Sequence, residues 1–285
     1  MSYPVSEEMV DAGEVGLNVA TAGEGRPVLL LHGFPDSWQL WSHQIEALAA
    51  AGHRVIAPDL RGFGRSDRPV GVEQYAVPRL VADVARVLDH VGVERADVVG
   101  HDWGAGLAWQ VALHLPDRVD RLAVLSVGHS GAGVRAGTEQ RRLSWYMLWF
   151  LFAGVAEEVL PRDGWKVFRE WAWDGVEAAD HPQCARQIRD LSRPGALTAA
   201  LNWYRANISP QTFVVSPAQP LPGRAVACPT LGVWSTEDPF LGRTQMVGSA
   251  EFVEGPWRYE ELPGGHWVPT SEPERLSALL VDYLA

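Results

Sequence analysis

Five short runs of β-branched residues and leucine frame this chain: Pro27–Leu31 (PVLLL), Arg54–Ala57 (RVIA), Ala96–Val99 (ADVV), Leu122–Val127 (LAVLSV) and Thr230–Trp234 (TLGVW). Runs so uniformly apolar suit strands covered on both faces, the condition inside a parallel sheet. Trp41–Ala51 and Val77–Val91 carry apolar residues at helical spacing, and Gly104–His114 follows the third run at once. Strand and helix in alternation predict an open α/β sheet with helices on its faces. Gly13–Ala22, ending in a Gly-rich turn, reads as a leading antiparallel hairpin.

The alternation breaks between residues 130 and 227. This stretch has no strand-like run before Thr212–Val215, and it holds Trp145, Trp149, Trp165, Trp171, Trp173 and Trp203. It closes in a Pro-rich linker, Ser216–Pro222, after which a strand resumes at Pro229. With 285 residues the chain is long enough for one large core and an inserted subdomain. The expected organisation is a core of residues 1–129 and 228–285 and a helical cap of residues 130–227. The cap would lie over the carboxyl edge of the sheet, where α/β folds bind ligands. The plainer alternative is that these helices only extend the outer layer.

The segment Val98-Val-Gly-His-Asp-Trp-Gly-Ala-Gly106 carries the chemistry. An apolar strand enters a turn with Gly at 100 and 104, Asp102 stands between them, and a helix follows. This small-x-nucleophile-x-small pattern is a nucleophile elbow, with aspartate in place of the commoner serine. The central residue of such a turn is strained, and side chains at its flanks would clash. Asp102 would stand above the sheet at a helix N-terminus, where free N–H groups favour an anion. A plain helix-capping aspartate is the competing reading.

The rest of the chain supplies partners for it. Leu31-His-Gly-Phe-Pro35 follows the first buried run, and the N–H groups of Phe34 and Trp103 are expected to form a two-donor oxyanion hole. His32, at the strand end, reads as a brace for the loop. Asp59-Leu-Arg-Gly-Phe-Gly-Arg-Ser-Asp67 lacks the lysine of a phosphate loop and the dinucleotide glycine pattern, so it reads as a supporting loop and nucleotide binding is excluded. Asp238 lies past the end of the TLGVW run beside Pro239, and His266 lies in the Gly-rich loop Leu262–Trp267. Nucleophile, acid, histidine is the chain order of an α/β-hydrolase triad. Histidine suits the base because its pKa is near neutrality. Asp238 would fix its tautomer.

Composition narrows the partners. The formal net charge of −11 argues against nucleic acid or an anionic membrane. Cys184 and Cys228 have neither CxxC nor metal-ligand spacing and read as reduced thiols. Met1 to Asp11 carries acids and no apolar h-region, and the longest apolar stretch, 146–155, is too short to span a bilayer. A cytoplasmic enzyme without metal or cofactor and without membrane insertion is expected. A homodimer is left open. Asn207-Ile-Ser209 matches a glycosylation sequon, to which no role is given.

HGFPDSW, DLRGFGRSD, GHDWGA, STEDPF and GGHW together resemble α/β-hydrolases of the epoxide hydrolase and haloalkane dehalogenase branch. The motifs run from Gly25 to the C-terminus. The resemblance implies an α/β-hydrolase fold with an inserted cap. Leu201-Asn-Trp-Tyr-Arg205 resembles the segment carrying one of the two cap tyrosines of epoxide hydrolases, which places it at Tyr204. Ser144–Phe150, followed by Gly154-Val-Ala-Glu157, resembles the other and places it at Tyr146. Each tyrosine has the alternative of a packing role on a Trp-rich helix. The substrate pocket is expected to include Trp38, Trp103, Met147, Phe150 and Trp267, around a small apolar or aromatic epoxide.

The resemblance thus implies an epoxide hydrolase. It would form an alkyl ester on Asp102, to be hydrolysed by water activated by His266 and Asp238. Haloalkane dehalogenases fit less well, since Phe34 stands where many carry an Asn halide donor; some use a cap Trp instead, and this chain has several. Fluoroacetate dehalogenases bind their substrate carboxylate with an Arg where this chain has Trp103, and Ser144 departs from their fluoride-site His. A non-catalytic binding protein of the same fold would typically lack part of the triad.

Overall fold

The computed structural model describes residues 3–173, 181–211 and 225–285. The strand-like run Thr212–Val215 and the linker Ser216–Pro222 lie outside the described residues. The predicted sheet is present, with eight strands in the order β1-β2-β4-β3-β5-β6-β7-β8. They are β1 (Ser6–Asp11), β2 (Gly16–Ala22), β3 (Arg26–Leu31), β4 (His53–Pro58), β5 (Ala96–His101), β6 (Val119–Leu125), β7 (Thr230–Ser235) and β8 (Trp257–Leu262). β1 pairs antiparallel with β2, and β2 antiparallel with β4; the other pairs are parallel. The all-apolar runs form β3 to β7, and every residue of β5 is buried.

Two strands were not legible in the sequence. The hairpin begins at Ser6, not Gly13, and its turn lies between Asp11 and Gly16. β8 (WRYEEL) closes the opposite side. Both are edge strands with a single buried residue between them, and edge strands carry charges that mask the apolar signal.

Helices α1 (Ser42–Ala50), α2 (Val77–His90) and α3 (Trp103–His114) pack on the sheet faces, together with the final helix, Pro273–Leu284. Between β6 and β7 run α4 (Ser130–Arg135), α5 (Gly137–Leu143), α6 (Trp145–Phe150), α7 (Val155–Val159), α8 (Arg162–Trp173), α9 (Pro182–Leu191) and α10 (Ala196–Asn207). Most are under three turns, too short to be stable alone, so tertiary contacts hold them. The Asn207 amide joins α10 to the start of α2. It donates to the Tyr75 and Trp203 carbonyls at 2.9 and 2.8 Å and accepts the Val77 N–H at 3.0 Å. A side chain so occupied is not free to carry a glycan. No helix among the described residues is long and apolar enough to cross a membrane.

Candidate active site

Asp102 sits between β5 and α3 at φ 53°, ψ −124°, left-handed backbone that a non-Gly residue adopts at a cost of about 1–3 kcal/mol. The flanking glycines are sterically required. A Cβ at Gly100 would lie 2.3 Å from the Gly104 carbonyl oxygen, and one at Gly104 would lie 2.1 Å from that of Leu31. The strained turn lifts the carboxylate off the sheet and leaves it buried at 7% exposure. Its Oδ1 accepts the Phe34 N–H at 2.7 Å, from the loop after β3. Its Oδ2 lies 3.6 Å from His266 Nε2.

His266 follows β8. Its Nδ1–H donates to Asp238 Oδ2 at 2.9 Å. Asp238 follows β7, and its Oδ1 accepts the N–H groups of Phe240 and Leu241 at 2.9 and 3.1 Å. Residues far apart in sequence thus meet at the carboxyl ends of β3, β5, β7 and β8. Burial alone would lower the His266 pKa. The Asp238 and Asp102 carboxylates on its two sides overcome that and push it up to about 10. Burial would raise the Asp238 carboxyl, but His266 and the two backbone N–H groups hold it below its usual range. The ring of His101 packs 4.7 Å from that of His266, and its Nε2–H donates to the His266 carbonyl at 2.8 Å. Burial, reinforced by the His266 charge, lowers His101 to about 4 and keeps it neutral.

His32 braces its loop as expected: Nε2 accepts the Leu60 N–H at 2.9 Å, so Nδ1–H faces the Gly33 carbonyl at 3.0 Å. Asp59 ties the supporting loop together through the N–H groups of Trp38 and Arg65 and the Asn18 amide, each at 2.9 Å.

Above the carboxylate stand the two tyrosines, Tyr146 on α6 and Tyr204 on α10, with ring centroids 6.3 Å apart. Burial, then the Asp102 and Asp238 charges, raise the Tyr146 pKa well above its ordinary value. Burial, then Tyr146 and Asp102, do the same for Tyr204. Both phenols therefore keep their protons. Asp102, His266, Tyr146 and Tyr204 line one cavity together with Phe34, Pro35, Phe168, Trp171, Ala172, Phe240 and Trp267. It has room for about 10 Å³, the space of a single water.

The expected pocket needs correction. Trp267 lines the cavity, but Trp103 and Phe150 stand behind Tyr204, their rings edge-on to it at 5.0 and 5.1 Å. Trp38 lies elsewhere, with its indole donating to Glu7 at 3.2 Å. It is near in sequence to Phe34, but its backbone N–H is tied to Asp59 at 2.9 Å and its side chain reaches β1. Met147 faces a separate cavity of about 330 Å³, lined also by Val134, Gln140, Ile208 and Leu241. One residue of helical advance past Tyr146 turns it away from the site. Phe168, Trp171 and Phe240 were missed. Phe240 was findable, two residues past Asp238, with its ring edge-on to His266 at 5.2 Å. Nothing in the sequence told which Trp of the helical stretch faces inward.

Asp36 was also missed. This carboxylate of the β3 loop accepts the Trp267 indole N–H and the Gln187 amide, both at 2.9 Å. Gln183 at 3.3 Å and Arg186 at 3.3 Å, both on α9, complete its partners. Cys184 and Cys228 are free, and burial raises both thiols, Cys228 to about 11. Among the described residues no three His, Cys, Asp or Glu side chains gather as a metal site.

The family model described as alpha/beta hydrolase fold matches residues 26–273. Epoxide hydrolase A of Mycobacterium tuberculosis is 35% identical over 98% of this chain and 97% of that protein. The crystal structure of epoxide hydrolase A from Mycobacterium thermoresistibile superposes with a TM-score of 0.83 at 32% identity, covering 99% of this chain and 98% of that one. A Bacillus megaterium epoxide hydrolase in complex with an inhibitor gives 0.85 at 26% identity, covering 98% and 99%.

Proposed function

The chain belongs to the alpha/beta hydrolase fold family, and from that premise we propose that it opens an epoxide to a vicinal diol through an alkyl ester on Asp102. The observation that carries this reading is one cavity lined at once by a carboxylate, an imidazole and two protonated phenols. The epoxide hydrolases it resembles support the same substrate class.

Asp102 Oδ2, the oxygen not occupied by Phe34, attacks an epoxide carbon and breaks its C–O bond. Tyr146 or Tyr204 gives a proton to the departing oxygen, and solvent replaces it. General-acid help of this kind is worth roughly 10²–10⁴ in rate. Esterification removes the Asp102 charge, and with it one of the two carboxylates that hold His266 protonated. The imidazolium then releases its proton to solvent, offsetting the one that solvent returned to the tyrosine, and becomes available as a base. It takes a proton from a water that attacks the ester carbonyl carbon. The oxyanion forms on Oδ1, where the Phe34 N–H already points, with the Trp103 N–H as its expected second donor. The Cγ–Oδ2 bond breaks, the diol leaves carrying Oδ2 and takes the proton held by His266, and the regenerated Asp102 carboxyl then gives its remaining proton to His266, restoring the carboxylate and the imidazolium. A carboxylate suits this role because its ester is opened at its own carbonyl, where a serine would leave an ether.

In this reading residues 130–227 form a cap over a core of residues 1–129 and 228–285. The aromatic lining suits a small apolar or aromatic epoxide, whose entry requires the lining rings to move apart, since the cavity as it stands holds one water. A single turnover in ¹⁸O-water tests the route. The first diol is expected without label, because its new oxygen comes from Asp102. Label in that first diol would exclude the ester. Halide release from haloalkanes without epoxide turnover would exclude the substrate class.

A further inference from the structure

Arg205 stands one residue beyond Tyr204 on α10, and its whole guanidinium is engaged. Nε–H donates to the Phe150 carbonyl at 3.0 Å. The two terminal nitrogens grip Glu157 at 2.6 and 2.8 Å, in the end-on bidentate geometry that gives such pairs their directionality. They also reach Asn202 Oδ1 at 3.3 Å and the Phe152 carbonyl at 3.5 Å. The pair is shielded from water, with Arg205 7% and Glu157 21% exposed. Burial would raise the Glu157 carboxyl, but the bonds from Arg205 bring it below its usual range.

Phe150 ends α6, the helix that carries Tyr146, and Glu157 lies on α7 just beyond. Six residues do not make a helix stable alone, and the last carbonyls of any helix lack a partner within it. Arg205 supplies that partner from the helix that carries Tyr204. Ring contacts around the two phenols are edge-on or tilted and orient them only broadly. The guanidinium adds a directional tie between their backbones.

We propose that Arg205 and Glu157 are positioning residues that set the spacing of the Tyr146 and Tyr204 hydroxyls, and so the rate of epoxide opening. This rests on the reading of the two phenols as proton donors. Two donors serving one oxygen must both come within hydrogen-bond reach, and a misplacement of about 1 Å costs on the order of 10²-fold. Ester hydrolysis runs on His266, Asp238 and Phe34, in strand-end loops that Arg205 does not touch. A loosened tie should therefore slow the first half of the reaction and spare the second.

Rapid-quench mass spectrometry on the full chain separates the halves, following the Asp102 ester in a single turnover. The probe is styrene oxide, or the fastest member of an aryl epoxide panel. Arg205→Lys is expected to slow ester formation about 10- to 100-fold, and Glu157→Gln about three- to tenfold, with ester decay within about threefold of wild type in both. Equal slowing of formation and decay would overturn the proposal. So would unchanged formation in both variants while Tyr204→Phe slows it. If Tyr204→Phe also leaves formation unchanged, the tyrosine reading itself falls, and the proposal with it. If wild type forms no ester from any member of the panel, the proposed function falls first. Should Arg205→Lys fail to fold, Glu157→Gln decides by the same ratio.

Discussion

The floor and the roof of the cavity are held in different ways. On the floor, Asp102, His266 and Asp238 hang from the ends of buried strands, and backbone groups fix them: the Phe34 N–H on Asp102, the Phe240 and Leu241 N–H groups on Asp238. On the roof, Tyr146 and Tyr204 ride on short helices whose place depends on aromatic packing and on Arg205. The floor positions are extensions of the sheet. The roof is assembled from contacts between elements that have no stability alone. If both readings hold, the floor serves both halves of the reaction and the roof only the first.

The largest expected effect lies on the floor. Asp102→Asn should abolish diol formation, by about 10⁴ or more, as loss of a nucleophile does. Activity within tenfold of wild type would remove Asp102 from its role. His266→Gln should stop turnover while leaving ester formation, so that intact-mass spectra show Asp102 alkylated; an unmodified chain after long incubation with a turned-over epoxide would break the division of labour. On the roof, the Tyr146→Phe/Tyr204→Phe pair should lose roughly 10²–10⁴ in ester formation. Slowed decay of a preformed ester would show that roof and floor are not separable.

The next effect is one of titration. His266 is held at about 10 against an ordinary 6.5. A base whose folded pKa is raised stabilises the fold fully below pH 6.5, and that contribution is lost as the pH climbs through about 10. Asp102→Asn removes one of the two raising carboxylates, so NMR should find His266 titrating lower in that variant. An unchanged midpoint would mean that esterification cannot free the base. The smallest effect is expected at Trp38. Trp38→Phe loses one indole bond to Glu7, worth about 0.5–1.5 kcal/mol of stability, and should leave kcat unchanged. A changed kcat would return Trp38 to the site.

The same division decides what was legible in the sequence. Floor chemistry demands particular residues within a few positions of a strand end, so Asp102, Asp238 and His266 could be read in order, and the structure brings their side chains together. The five apolar runs gave the buried strands. β1 and β8 escaped because these edge strands carry charged residues in place of an apolar run. The roof could be placed only by resemblance, since a Trp-rich helix does not announce which face turns inward. Trp38 and Met147 show the limit: each lies within a few residues of Phe34 or Tyr146, yet neither lines the cavity.

Asp36 has a consequence for anyone who would treat the helical stretch as a module. Its carboxylate is 1% exposed, and Arg186 on α9 is its cationic partner. Excising or transplanting α9 would strand that anion in the interior, and a buried charge robbed of its partner costs about 3–5 kcal/mol. That is a large fraction of the net stability of a typical domain. The helical stretch and the sheet beneath it are therefore thermodynamically interdependent. A chimera that exchanges one without residue 36 and its α9 partners inherits the debt.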